Sequence, residues 1–105
     1  MGYRSGKATP CEIVWLPSAT SDVVRLRDFI KSDNPRAAQR AAERIIEGIN
    51  ILQANPEAGM PVENLVDYKD LVLSFGAGEY IIRYRQELAN RVVIVRVRHS
   101  KEEGF

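Results

Sequence analysis

Arg83, Arg85, Arg96, Arg98, His99 and Lys101 are the side chains of this sequence best equipped for chemistry, and they stand together in its last part. Guanidinium groups grip phosphate and carboxylate oxygens in a fixed fork geometry, and imidazole moves protons near neutral pH. Each type also has a plainer use. Arginines keep an open sheet face soluble, and a histidine at a sheet end packs and hydrogen-bonds locally. The sequence holds no glycine-rich phosphate loop, no GxSxG turn and no HExxH. Glu102 and Glu103 are adjacent, and Glu43 and Glu47 fall on an exposed helix face, so all four are read as solvated. One histidine and one cysteine, Cys11, supply neither a zinc ligand set nor an intramolecular disulfide. No metal and no other cofactor is expected.

Strands must position the cationic residues. Three strand-like runs, Leu71 to Phe75, Tyr80 to Arg85 and Val92 to Arg98, are joined by links short enough to make them antiparallel neighbours. Alternation sets Tyr80, Ile82 and Tyr84 against Ile81, Arg83 and Arg85, and predicts that Val93, Val95 and Val97 face the core. An in-register hairpin then gathers Arg83, Arg85, Arg96 and Arg98 on the side away from the helices. Trp15, Tyr80 and Tyr84 are read as core residues rather than a platform for stacked bases.

Upstream, Cys11 to Leu16 has the β-branched and aromatic content of a buried strand. Ala19, Val23, Leu26 and Ile30 then line one helix face, with Ser18 as N-cap and an end near Lys31. A second helix starts at Asn34-Pro35, carries the stripe Ala38, Ala41, Ile45, Ile49 and Leu52, and stops at Asn55-Pro56. The two form an αα-hairpin. Residues 56–68 are predicted to be loop. The fold expected is α+β: an N-terminal strand, an αα-hairpin, then a three-stranded antiparallel meander, with the helices packed on one sheet face.

With 105 residues, 45% of them hydrophobic and 28% charged, the chain suits one globular domain over 11–105, preceded by a flexible leader over 1–10. Its apolar runs fall far short of the roughly 20 residues that cross a bilayer, so no membrane role is expected. No signal-peptide pattern stands at the start, and a cytoplasmic location is expected. Fifteen basic residues against fourteen acidic ones leave a charge of +1, which argues against a uniform coat for nucleic acid phosphates.

From Ile13 onward the chain resembles the RelE/ParE superfamily of bacterial type II toxin–antitoxin toxins. The matching features are the strand ending in Trp15, Asn34-Pro35-Arg36-Ala37-Ala38, and Asn55-Pro56 followed by Gly59 and Pro61. Further on they are Lys69-Asp70-Leu71, Tyr80-Ile81-Ile82-Arg83-Tyr84, and Val92 through His99. The resemblance implies one of two activities: RelE-like members cleave mRNA in the ribosomal A site, and ParE-like members poison DNA gyrase without catalytic residues of their own.

The nuclease branch, as the resemblance implies, uses lysines on the second strand, arginines on the third and after the fourth, and a C-terminal tyrosine. Val72, Ser74, Ile81, His99 and Phe105 stand at those places here. Only His99 could serve, because the others bring neither charge nor a phenolic hydroxyl. A ParE-like gyrase inhibitor with no catalytic residue is therefore expected, and target-binding falls to Arg83, Arg85, Arg96, Arg98, His99 and Lys101. Whether the chain is an enzyme stays open, because the RelE-like alternative would make it an endoribonuclease using His99, Arg83, Arg96 and Arg98. The resemblance further implies a cognate antitoxin protein, a toxin–antitoxin hetero-oligomer, and an antitoxin groove containing Leu26, Ile30, Ala41 and Ile45. A third reading is an inactivated, antitoxin-binding member.

Overall fold

The computed structural model describes residues 11–102; the expected leader over 1–10 and the C-terminal Phe105 lie outside them. Strand β1 (Glu12–Trp15) is followed by α1 (Pro17–Asp33) and α2 (Pro35–Ala54), then β2 (Met60–Val62), β3 (Leu65–Phe75), β4 (Gly78–Glu87) and β5 (Arg91–His99). The strands form a single sheet in the order β1-β5-β4-β3-β2. Strands β2 to β5 pair antiparallel in succession, whereas β1 runs parallel to β5. The expected α+β architecture is present.

Local chemistry sets the helix boundaries. Asn34 ends α1 and starts α2: its N–H donates to the Ile30 carbonyl at 2.9 Å, and its side-chain oxygen accepts from the N–H groups of Arg36 and Ala37 at 3.1 and 3.2 Å. Its extended backbone, φ −158° and ψ 99°, is the conformation a following proline favours. Helix α1 therefore runs to Asp33, past the expected end at Lys31. Asn34→Ala is expected to lower stability by about 1 kcal/mol, read from a urea titration with an unchanged slope.

Ser18 is not an N-cap. Leu16 takes that position without a side-chain bond and Pro17 opens the helix, while the Ser18 hydroxyl donates to the Val95 carbonyl at 2.7 Å. At the end of α2, the buried Tyr84 hydroxyl donates to the Pro56 carbonyl at 2.8 Å and accepts from the Gly59 N–H at 2.9 Å, which fixes the turn out of the helix. Gly48 belongs to the buried stripe of α2, because a Cβ there would lie 2.6 Å from Leu73 Cδ1. This glycine lets the helix settle on the sheet.

Residues 56–68 are more ordered than a loop. Met60, Pro61 and Val62 pair with Asp70, Lys69 and Leu65 in a hairpin whose residues are mostly exposed. Exposure removes the apolar alternation that marks a strand, and Asn64 and Asp67 take positive φ values of 67° and 72°.

The valine prediction on β5 is corrected by a bulge. Arg83 opposes Arg96 while Tyr84 opposes Ile94, so Val95 has no partner residue on β4. The extra residue reverses the alternation. Val92, Ile94 and Val97 therefore all join the core beneath the helices with Leu71, Leu73, Tyr80, Ile82 and Tyr84. Val93 is buried but is not part of that cluster, and Val95 is half-buried. Tyr80 and Tyr84 are fully buried, whereas Trp15 is 37% exposed and belongs only partly to the interior.

Candidate functional site

The cationic residues come from β4, β5 and the turn that follows. Arg83 and Arg96 are direct partners across the two strands, Arg98 opposes Ile81, and Arg85 lies beyond the bulge opposite Val93. Paired residues share a sheet face, so Arg83, Arg85, Arg96 and Arg98 stand on the face opposite Tyr80, Ile82 and Tyr84, with Arg85 next to Arg83 along β4.

Three of the four are held by carboxylates. Arg83 makes a two-pronged pair with Asp70, Nε to Oδ1 at 2.9 Å and Nη2 to Oδ2 at 3.1 Å. Arg85 Nε donates to Glu87 at 3.0 Å and its Nη1 to the Tyr68 hydroxyl at 3.4 Å, with the guanidinium 6.0 Å from the Tyr68 ring centre; these bonds to Glu87 and Tyr68 hold its pKa above the ordinary value. Arg96 grips Asp22 of α1 at 2.7 and 3.2 Å, and its pKa is raised by that partner. Arg98 donates to the carbonyl oxygens of His99 and Glu102 at 3.4 Å.

Asp22 escaped the sequence reading. It sits among the apolar residues of α1, is 4% exposed, and accepts from the Val97 N–H at 2.8 Å as well as from Arg96 and Arg25. Burial alone would push its pKa up, but the bonds from Arg96, Val97 and Arg25 outweigh burial and hold it below 3.8. Ser18 bonds Val95, Asp22 bonds Val97, and Glu102, paired with Arg25, accepts from the His99 N–H at 2.9 Å. The polar stripe of α1 thus occupies the edge of β5 where β1 has ended. A carboxylate at a position of the apolar helix stripe was the signal available in the sequence.

His99 stands beyond this clasp. Its Nδ1 accepts from the Lys101 N–H at 3.1 Å, so in the neutral ring the proton belongs on Nε2. The ring meets Tyr80 edge-on at 5.3 Å between centres, and a Cβ on Gly78 would fall 2.9 Å from Nε2. Val72 and Ile81, two of the places where the nuclease branch would have charge, are register partners flanked by Arg98. Among the described residues no group of three or more histidine, cysteine or acidic side chains could hold a metal ion.

A cavity of about 750 Å³ lies between the C-terminal half of α1, the β3–β4 turn and the end of β5. Leu26, Phe29, Ile30, Phe75 and Tyr80 supply its apolar lining, with Arg25, His99, Lys101 and Glu102 also contributing. Phe29 is 72% exposed. Of the residues assigned to an antitoxin groove, Leu26 and Ile30 line this cavity. Ala41 and Ile45 do not; they belong to the buried stripe that packs α2 in the core. Phe29 was missed because it lies off the periodic stripe of α1.

Comparisons with known proteins agree with this architecture. Residues 13–104 match the family model described as the ParE toxin of the type II toxin–antitoxin system parDE. Toxin RelE3 of Caulobacter vibrioides is 34% identical over 86 residues, covering 82% of this chain and 90% of the relative. Toxin RelE2 of the same organism is 34% identical over 90 residues, covering 85% and 94%. A structure of the chromosomal ParDE system from P. aeruginosa superposes with a TM-score of 0.70 at 24% identity, over 86% of this chain and 96% of that one. The toxin–antitoxin complex RelBE2 from Mycobacterium tuberculosis gives 0.58 at 24% identity, over 91% and 98%. No helix among the described residues is long and apolar enough to cross a membrane. With its two helices on a five-stranded sheet and a family match spanning nearly its whole length, this chain belongs to the ParE toxin family of type II toxin–antitoxin systems.

Proposed function

We propose that this toxin acts in the cytoplasm by gripping DNA gyrase, without catalysis of its own, and that a cognate antitoxin neutralises it as a hetero-oligomer. The observation that carries the gyrase reading is the state of the cationic face. Arg83, Arg85 and Arg96 already have carboxylate partners, which leaves little positive field for dense RNA phosphate. A rigid, charge-compensated surface suits contact with a protein. His99 points the same way, because its Nδ1 is occupied and its Nε2 carries the proton in the neutral ring. Under this reading Arg83, Arg85, Arg96, Arg98, His99 and Lys101 are contact residues.

The antitoxin's place is the cavity lined by Leu26, Phe29 and Ile30, an apolar concavity beside an exposed aromatic side chain. Such a surface accepts a segment that folds on binding. Two solved structures with this fold are described as a ParDE system and a RelBE2 toxin–antitoxin complex, which supports a similar assembly here.

Purified protein added to gyrase and plasmid DNA is expected to block supercoiling or trap cleaved DNA, and to leave A-site mRNA uncut in a translation extract. Cut mRNA with untouched supercoiling overturns the reading in favour of RelE-like endonuclease action. That alternative draws on the names of the two Caulobacter relatives. It would assign proton transfer to His99 and phosphate stabilisation to Arg83, Arg96 and Arg98.

A further inference from the structure

Tyr80 is completely buried, and its hydroxyl has no hydrogen-bond partner among the described residues. Buried hydroxyls in folded proteins are nearly always paired, because an unpaired one has given up water and received nothing. Tyr80 also lines the cavity beside α1. Phe29 and Arg25, which line it too, are themselves exposed, so the cavity is bordered by surface side chains. The cavity volume of about 750 Å³ lies within the range of roughly 300–1,000 Å³ typical of ligand pockets.

We propose that Tyr80 is a specificity determinant of this cavity. Its hydroxyl donates to a neutral acceptor, a carboxamide or backbone carbonyl, on an apolar antitoxin segment that packs among Leu26, Phe29, Ile30 and Phe75. The acceptor is a carbonyl because Leu26, Ile30 and Phe75 make the surrounding lining apolar and the Arg25 and Glu102 that share it are already paired with each other. The hydrogen bond strengthens association more than an ordinary surface bond does. The hydroxyl is desolvated before the partner arrives, so only the acceptor loses water on binding.

This inference rests on the antitoxin reading above, and two variants separate them. Calorimetry is carried out with the full toxin and the purified product of the neighbouring short gene. Tyr80→Phe is expected to melt at or above the wild-type temperature and to bind about five- to thirty-fold more weakly. Phe29→Glu is expected to bind weakly whatever Tyr80 does. If Phe29→Glu weakens the complex and Tyr80→Phe matches wild type, the hydroxyl has no role in recognition and the inference is overturned while the cavity stands. If neither variant weakens it, the cavity is not the antitoxin site and both readings fall.

Discussion

Asp22→Ala is expected to destabilise the folded toxin by about 3 kcal/mol, a fall in Tm of roughly 10–20 °C. The fully buried Val97 N–H loses its acceptor, which by itself costs about 1–3 kcal/mol. Arg96 loses both of its bonds to the carboxylate, but its side chain is 39% exposed and water recovers part of that loss. Asp22→Asn keeps an oxygen for Val97 and is expected to cost about half as much. Wild type and Asp22→Asn also separate by pH. The folded-state pKa of Asp22 lies below 3.8, so the carboxylate's contribution is complete above that value and is lost as pH falls through the folded-state pKa. Urea midpoints measured from pH 7 downward should converge for wild type and Asp22→Asn at the acid end. A constant gap across that range would show that charge on Asp22 does not support the fold.

Phe29→Glu is expected to leave the toxin folded and to reduce its affinity for the antitoxin by about a hundred-fold or more. The side chain is 72% exposed, so the substitution falls in the class that changes stability by about 0.5 kcal/mol or less. In the complex the same position would place a carboxylate against Leu26, Ile30 and Phe75, where an unpaired charge is costly. A hundred-fold loss corresponds to about 2.7 kcal/mol, within the range for a residue at the centre of an interface. In cells the variant should arrest growth on expression, and antitoxin supplied together with it should no longer restore growth. Full rescue at wild-type antitoxin levels would remove Phe29 from the interface.

Much of this architecture was legible in the sequence because its causes are local. Asn34-Pro35 marks a helix junction through backbone preferences of adjacent residues, and Asn55-Pro56 does the same at the end of α2. Tyr80, Ile82 and Tyr84 alternate over a few residues, and the structure buries all three. The β2–β3 hairpin left no such trace, since its exposed residues have no reason to alternate. Gly48 carries no side chain that could mark a helix face in the sequence. It became informative only once Leu73 and Ile82 were seen beneath it.

The candidate site was legible as a set of residues but not as an arrangement. Composition and order determined that arginines and a histidine would share the last two strands, because side-chain type and strand period are written residue by residue. Their partners were decided by the tertiary structure. Asp70 reaches Arg83 across 13 positions of sequence, and Asp22 reaches Arg96 across 74. One unpaired residue, Val95, reverses the faces of β5 and so selects which side chains enter the core. A pattern read along the chain carries periodicity, whereas pairing over such separations depends on register and on which edge a helix covers; these exist only once the chain has folded.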